Sequence, residues 1–217
     1  MEEIKGREPY SDHPLWYDVR GLMILRSSYR DNVFRQAYFF VPHMGARHLE
    51  IAIGSGSLFY FFMLLRRALR LEEVEILGVD NSSEMIGSAR KKLSGFANVS
   101  LEIMDATQLD LDAKSFDTVH IVNSIHSIPH PELCLKEAFR VLKPGGRLAV
   151  NALLFPQGNF LQRAVAERVN RFGQKKGILR NPFMRHQFID LCECAGFELE
   201  MAEERGNSLY VRGRRPK

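Results

Sequence analysis

Short apolar runs rich in β-branched residues alternate along the chain with longer segments whose apolar residues recur at helical spacing. This alternation predicts parallel βαβ units. The predicted strands cover residues 48–53, 74–79, 99–104, 116–122 and 147–154. Helices are predicted from the first strand to about residue 71, and then over 83–93, 132–142 and, as an interrupted pair, 158–195. The expected fold class is α/β, with a Rossmann-like, doubly wound, mostly parallel sheet.

The C-terminal part of the chain departs from this alternation. Residues 197–201 and 208–212 are both strand-like, and the sequence Arg205-Gly206-Asn207 between them is typical of a hairpin turn. We therefore expect a C-terminal antiparallel hairpin strand at the end of the sheet.

Residues 58–65 are apolar on every side for two helical turns, whereas a surface helix normally shows a polar stripe. Something must cover the outer face of this helix. We expect aromatic-rich helices formed by residues 14–40 to do so, and a homodimer contact through residues 58–65 or a lipid surface are the alternatives.

Charge and composition narrow the class of protein. Lys and Arg outnumber Asp and Glu by 30 to 26, an excess too small to indicate a nucleic-acid binder. The basic run 163–185 is expected to be a solvated face, with an anionic substrate, RNA or an anionic membrane as alternatives. No apolar run approaches the ~20 residues that span a bilayer, and the first residues contain no signal-peptide core.

The cysteines point to a reducing compartment. There are three, an odd number for a disulfide framework, so a cytoplasmic protein is expected. Cys192 and Cys194 fall on opposite sides of a predicted helix, and no metal site is expected.

The strongest local motif is the strand and turn from Glu50 to Gly56. Gly54 and Gly56 allow a ligand to approach the backbone closely, and free amides lie at the start of the next helix. We expect the carboxylate of Glu50 to order this turn by accepting its amides. An ordinary βα turn is the alternative, since glycines are common in such turns.

Acidic residues also close the next two strands. Asp80 lies 24 residues beyond Gly56, where an acid can chelate a ribose diol, and Asp105 ends the third strand. One such acid is usually a helix cap. Three at successive strand ends indicate a ligand site, because sheets of this kind bind ligands there.

The succession LEIAIGSGS, ILGVDNSSEMIGSARKKL, IMDATQLDLDAKSFDTV and CLKEAFRVLKPGGRLAV resembles the class I methyltransferase family, in particular the ubiquinone and menaquinone biosynthesis branch. The resemblance covers about residues 48–154. It implies S-adenosylmethionine as cofactor and a set of binding residues, which are Tyr17, Glu50, Ala52, Gly54, Ser55, Gly56, Asp80, Asn81, Met85, Asp105, Ala106 and Asn123.

Within that resemblance the residues take different parts of the cofactor. The turn after Glu50 would surround the methionine part, with Asn123 beside it and Tyr17 closing over it. Asp80 would bind the ribose hydroxyls. The adenine would lie among the remaining side chains, which are Asn81, Met85, Asp105 and Ala106.

Ala52 departs from the family pattern, which usually has glycine at this position. One added methyl group is tolerated if φ stays negative. It puts close contact with the cofactor carboxylate in doubt.

The chain length of 217 residues predicts a single domain over residues 1–217. An N-terminal helical cap is expected over 1–45, the cofactor-binding core over 46–154, and substrate-side helices with the C-terminal strands over 155–217.

The predicted function is methyl transfer to a small or medium-sized acceptor, with His126 as the candidate catalytic residue and His130 as a second residue bordering the substrate. The alternatives are an RNA methyltransferase, an NAD-dependent oxidoreductase and a non-catalytic cofactor-binding scaffold. The oxidoreductase fingerprint needs a small residue three places after the second glycine, where this chain has Phe59.

Overall fold

A computed structural model describes residues 14–175, 179–180 and 182–217, with the side chains of 14–18 and 20 outside the description. Seven strands form one sheet, and their bounds are β1 Arg47–Ile51, β2 Glu75–Asp80, β3 Val99–Ile103, β4 Phe116–Ile121, β5 Leu142–Leu153, β6 Glu198–Arg205 and β7 Ser208–Arg214. Their order is β3-β2-β1-β4-β5-β7-β6. Strands β1 to β5 are mutually parallel, which confirms the predicted fold class.

The C-terminal hairpin contains the reversed strand, as predicted, but its position differs. Strand β7 is antiparallel to both β5 and β6 and lies between them, so β6 is the edge strand. A hairpin sequence shows that two strands pair with each other. It does not show which of them joins the rest of the sheet.

Seven α-helices flank the sheet in the described part of the chain: α1 Pro14–Ser27, α2 Val33–Phe40, α3 Ser57–Ala68, α4 Ser83–Leu93, α5 Pro131–Val141, α6 Phe160–Lys175 and α7 Arg185–Cys194. Helices α5 and α7 pack on one face of the sheet, and α2, α3 and α4 contribute to the core on the other. Cys192 is buried in α7 and Cys194 is exposed, so they do point to opposite sides. None of the described helices is long and apolar enough to cross a membrane.

The apolar helix α3 is covered mainly by its own domain. Phe59, Phe62 and Met63 are buried in the core. Phe40 of α2 stacks on Phe62, and Phe34 meets Phe61 edge to face with ring centroids 5.7 Å apart. The N-terminal helices thus provide part of the predicted cover, and a dimer contact through residues 58–65 stays a prediction.

The tip of the C-terminal hairpin holds the N-terminal cap onto the sheet. Gly206 has φ +65°, and a Cβ there would lie 2.5 Å from the carbonyl oxygen of Arg30. The neighbouring Asn207 is fully buried, and its side-chain amide donates to the carbonyl of Ser28 at 2.6 Å. Its side-chain oxygen accepts the amide of Gln157 at 3.0 Å. One asparagine therefore joins the end of α1 to the segment after β5.

Replacing Asn207 should loosen this junction. Asn207→Ala leaves the Ser28 carbonyl and the Gln157 amide without their partner, so we expect a loss of about 2–4 kcal/mol in the free energy of unfolding. Urea denaturation measures it. Asn159→Ala is the matched control, because it removes only an exposed contact to the Gln162 amide and should cost about 1 kcal/mol. Equal losses in the two variants would contradict the role given to Asn207.

Candidate functional site

A cavity of about 670 Å³ opens at the carboxyl ends of β1, β2 and β4, where sheets of this kind bind ligands. One part of its wall consists of the loops that follow these strands. The other part is apolar and comes mainly from the helices of the N-terminal cap and from α6, with the residues Leu22, Leu25, Val33, Phe61, Val169 and Leu179.

The turn after β1 is fastened to the turn after β2 by Asp80. The Gly54 amide donates to one carboxylate oxygen of Asp80 at 2.9 Å, and the Ser82 amide donates to the other at 3.0 Å. Desolvation raises the pKa of Asp80, and these two hydrogen bonds oppose the rise. A carboxylate has about four acceptor sites, so Asp80 keeps capacity for a ligand.

This geometry corrects the expected role of Glu50. Asp80, and not Glu50, accepts the amide of Gly54 in this turn. The Glu50 carboxylate forms its hydrogen bond with His48. The sequence places acids at both strand ends. Which of them reaches across depends on the side-chain direction at each position.

Gly56 has no room for a side chain. Its φ is +78°, and a Cβ would lie 3.0 Å from the Cα of Ala89 in α4. The turn therefore needs glycine here for both conformation and helix packing. Gly54 also has positive φ, +59°.

The backbone at Ala52 does not have the negative φ at which the added methyl group would be tolerated. Its φ is +57°, in the left-handed region, and it lines the cavity. A non-glycine residue there carries a backbone cost of about 1–2 kcal/mol. The turn imposes at this position a left-handed conformation that glycine adopts at no steric cost.

Glu50 lies in a buried polar cluster with His48 and His120. His48 Nε2 is 3.4 Å from the Glu50 carboxylate, and His120 Nδ1 is 3.9 Å from it. Burial raises the pKa of Glu50 and lowers that of His48, and it lowers the pKa of His120 to about 3. Glu50 is the member of the cluster that also lines the cavity.

The sequence analysis missed both histidines, although a signal for them exists. Residues 48 and 50 share one face of β1, and the parallel register pairs Glu50 with His120 on β4. The ligand atoms of the three side chains lie within 4.8 Å of one another, a geometry that could hold a metal ion. Arg66 adds positive charge to the same surroundings and opposes a cation there. The absence of a metal stays a prediction.

The predicted adenine residues come together on the cavity wall. Met85 is buried, and Asn81, Asp105 and Ala106 line the same region. One oxygen of Asp105 accepts the Thr107 amide and hydroxyl, both at 2.8 Å, so this acid also caps its own turn.

Asn123 also lines the cavity, but its side chain is already engaged by protein groups. Its amide exchanges two hydrogen bonds with Gln36, at 2.8 and 3.0 Å, and its oxygen accepts from Asn151 at 2.6 Å. Its φ of +54° turns the chain sharply after β4. The structure therefore gives Asn123 a role in shaping the loop. Ser55 is buried and also lines the cavity.

His126 and Tyr29 form a buried pair on the cavity wall. The Tyr29 hydroxyl is 2.5 Å from His126 Nε2, and the rings meet edge to face. Burial lowers the pKa of His126 to about 3, so the imidazole is neutral near pH 7. Sequence reasoning did not select Tyr29, because its link to His126 spans 97 residues.

His130 and Tyr17 do not share the placement of the other predicted residues on the cavity wall. His130 is exposed, 3.2 Å from Glu132, and does not line the cavity, so its expected place beside the substrate is wrong. The backbone of Tyr17 is part of α1, but its side chain lies outside the part of the chain that the structure describes.

Comparisons with known proteins agree with this architecture. A family model described as "Methyltransferase domain" matches residues 43–179. The ubiquinone/menaquinone biosynthesis C-methyltransferase of Rhizobium meliloti is 36% identical over 105 residues, 48% of this chain and 40% of that protein. The chain thus matches well under half the length of that relative.

Solved structures show the same fold. A possible histamine N-methyltransferase from Thermotoga maritima superposes with a TM-score of 0.65 at 24% identity, covering 93% of this chain and 96% of that one. Phosphoethanolamine N-methyltransferase 2 of Haemonchus contortus, in complex with S-adenosyl-L-methionine, gives 0.66 at 17%, covering 91% and 57%. With its strand order, its cavity and its domain match, the chain belongs to the class I S-adenosylmethionine-dependent methyltransferase family.

Proposed function

We propose that this chain transfers a methyl group from S-adenosylmethionine to a small or medium-sized apolar or aromatic acceptor. The observation that carries the proposal is one continuous cavity. It runs from the turns joined by Asp80 to an apolar chamber under α1 and α6, and the buried Tyr29–His126 pair lies on its wall. Small-molecule pockets typically have this composition, apolar with a few fixed polar groups.

The loops at the strand ends would bind the cofactor. Asp80 would accept hydrogen bonds from the ribose hydroxyls while it also accepts the Gly54 amide. One side chain would thus both fix the turn and bind the cofactor. The adenine would contact Asn81, Met85, Asp105 and Ala106. The methionine end of the cofactor would contact Tyr17, Glu50, Ala52, Ser55, Gly56 and Asn123.

Methyl transfer of this kind depends mainly on position. The acceptor's electron pair forms the new bond to the methyl carbon, while the carbon–sulfur bond breaks and its electrons stay on sulfur. Holding donor and acceptor in line and in contact supplies most of the rate enhancement. The positive charge of the sulfonium disperses during the reaction, so the apolar chamber favours the transition state over the charged ground state.

His126 would orient an acceptor hydroxyl and receive its proton. Its neutral imidazole has one nitrogen that can accept a hydrogen bond, and Tyr29 fixes the ring. The low pKa makes this a weak base, so proton transfer to it costs least when the acceptor's own hydroxyl is among the more acidic ones, as in a phenol.

The acceptor class we favour is therefore a phenolic or hydroquinone ring with apolar substituents. The name of the Rhizobium relative, which refers to quinone biosynthesis and carbon methylation, supports this class. Phe59, buried in α3 where a dinucleotide fingerprint needs a small residue, argues against an NAD-dependent oxidoreductase. Non-catalytic cofactor binding would appear as affinity for S-adenosylmethionine with no turnover of any acceptor, and RNA methylation is the other alternative.

Removing the Asp80 carboxylate should weaken the cofactor. Hydrogen bonds to a charged group contribute about 1.5–3 kcal/mol, so Asp80→Ala should reduce the affinity for S-adenosylmethionine about ten- to a hundredfold in calorimetry. Asp110→Ala, an exposed acid, is the control. Binding of NAD with no binding of S-adenosylmethionine would refute the proposed cofactor site.

Replacing Ala52 by glycine should relieve the backbone cost. A residue with φ of +57° favours glycine, so Ala52→Gly should add about 1 kcal/mol to the free energy of unfolding and tighten S-adenosylmethionine. Ala164→Gly in α6 is the matched control and should lose about 1 kcal/mol. If Ala52→Gly leaves both quantities unchanged, the turn accommodates alanine without cost.

The role of His126 can be tested once an acceptor is found by screening phenols and hydroquinones with a labelled methyl donor. His126→Ala should lower turnover at least a hundredfold, which is within the usual range for the loss of an acid–base group. Its affinity for the cofactor should stay unchanged. His130→Ala should leave turnover unchanged. Because burial lowers the pKa of His126 to about 3, its ring resonances should not titrate near pH 6.5. Unaltered turnover in His126→Ala would assign it a structural role.

A further inference from the structure

Helices α1 and α6 leave apolar side chains in solvent at the mouth of the cavity. On α1 these are Val19, Leu22 and Met23, and on α6 they are Leu161, Val165 and Phe172, all between 42% and 70% exposed. The two helices pack against each other, and Ser28 hydrogen-bonds Asn170 across their junction. We call these six residues the α1/α6 patch.

The spacing on α6 forms one stripe. At about 100° per residue, Leu161, Val165 and Phe172 point within about 40° of one another. On one side of the stripe lie the exposed cations Arg168, Arg171 and Lys175. The helix's acidic residue, Glu167, lies on the far side of the helix from the stripe, about 140° from its centre.

The other side of the stripe leads into the cavity. Val169 is next around the helix and lines the cavity wall. From α1, Leu22 is 57% exposed and lines the same cavity, so it belongs to both surfaces. The apolar patch is therefore continuous with the proposed acceptor chamber.

We infer that the α1/α6 patch docks on the surface of an anionic phospholipid bilayer. An apolar stripe beside a row of cations is the pattern of a helix that lies in a membrane interface, with its apolar side chains among the acyl chains and its cations at the headgroups. Each protein cation near an anionic membrane surface strengthens binding about fivefold. Docking would also allow an acceptor to pass from the bilayer into the cavity, and that part of the inference rests on the proposed function, in which the acceptor is apolar.

The charges favour a bilayer over the other possible occupants. A symmetric contact between two copies would place both sets of Arg168, Arg171 and Lys175 in one interface, where their like charges repel. Within the described part of the chain, no carboxylate forms an ion pair with these three side chains. A nucleic acid would leave the apolar stripe itself without a partner.

Vesicle flotation of the full chain tests the inference without cofactor or acceptor. The probes are vesicles of phosphatidylcholine alone and of phosphatidylcholine with phosphatidylglycerol. We expect binding to the anionic vesicles, and its loss as salt is raised toward 1 M, where screening reaches about 3 Å. No binding by the wild-type chain, or equal binding to both kinds of vesicle, would overturn the role of the cations.

Two matched pairs of variants locate the contact. Leu161→Gln with Phe172→Gln should reduce binding to anionic vesicles at least tenfold, since each buried apolar side chain contributes more than that factor. Leu69→Gln with Leu133→Gln, exposed leucines just after α3 and on α5, should not. Arg168→Gln with Arg171→Gln should lose about fivefold for each charge, whereas Lys91→Gln with Lys136→Gln should lose much less.

Circular dichroism of each variant checks that it is folded, which is expected because every substituted side chain is exposed. Equal losses in the patch and control variants would refute the assignment to α1 and α6. A change of oligomeric state in the Leu161 and Phe172 variant, measured without lipid, would show that the patch contacts a second copy. Vesicle binding without methyl transfer would separate a failure of the proposed function from a failure of the docking surface.

Discussion

The hydrogen bond from the Gly54 amide to the Asp80 carboxylate joins the two turns on which the cofactor end of the cavity depends. It adds a side-chain link next to the backbone hydrogen bond that the Ile53 amide donates to the Val79 carbonyl at 3.0 Å, so the left-handed residues of the turn after β1 are held at two points. The bond also explains why Asp80 is mostly buried yet close to a ligand-sized space. The same carboxylate determines the shape of the site and offers it a charge.

Much of the fold follows from the sequence because its signals are local. Hydrophobic periodicity located the five parallel strands, and the helix predicted over 83–93 is α4, whose start is capped by Ser82 accepting the Met85 amide. The place of Asp80 and Asp105 on one cavity wall was also predictable, because acids at the ends of neighbouring parallel strands must meet at one edge.

What the sequence did not reveal depends on contacts between distant residues or on backbone dihedrals. The left-handed conformation of Ala52 is imposed by the turn and contradicts the preference of its residue type. The cluster of Glu50 with His48 and His120 needs the register of β1 against β4. The pairing of Tyr29 with His126 needs the cap to be folded over the sheet. In each case the side chain's neighbour lies outside any local pattern.

The hairpin tip has a consequence for the order in which the molecule assembles. Gly206 and Asn207 contact residues 28–30, which were synthesised nearly the whole chain length earlier. Strand β7 also enters between β5 and β6 and closes the sheet. A nascent chain can therefore form β1 to β4 with α2 packed on α3, while the segment after α1 lacks its contacts with the hairpin tip until the hairpin has emerged. Contacts of such long sequence separation form late. Phe39 lacks its ring contact with Tyr210 of β7 during that interval, so part of the apolar surface of the cap stays exposed and open to aggregation until the hairpin pairs with β5.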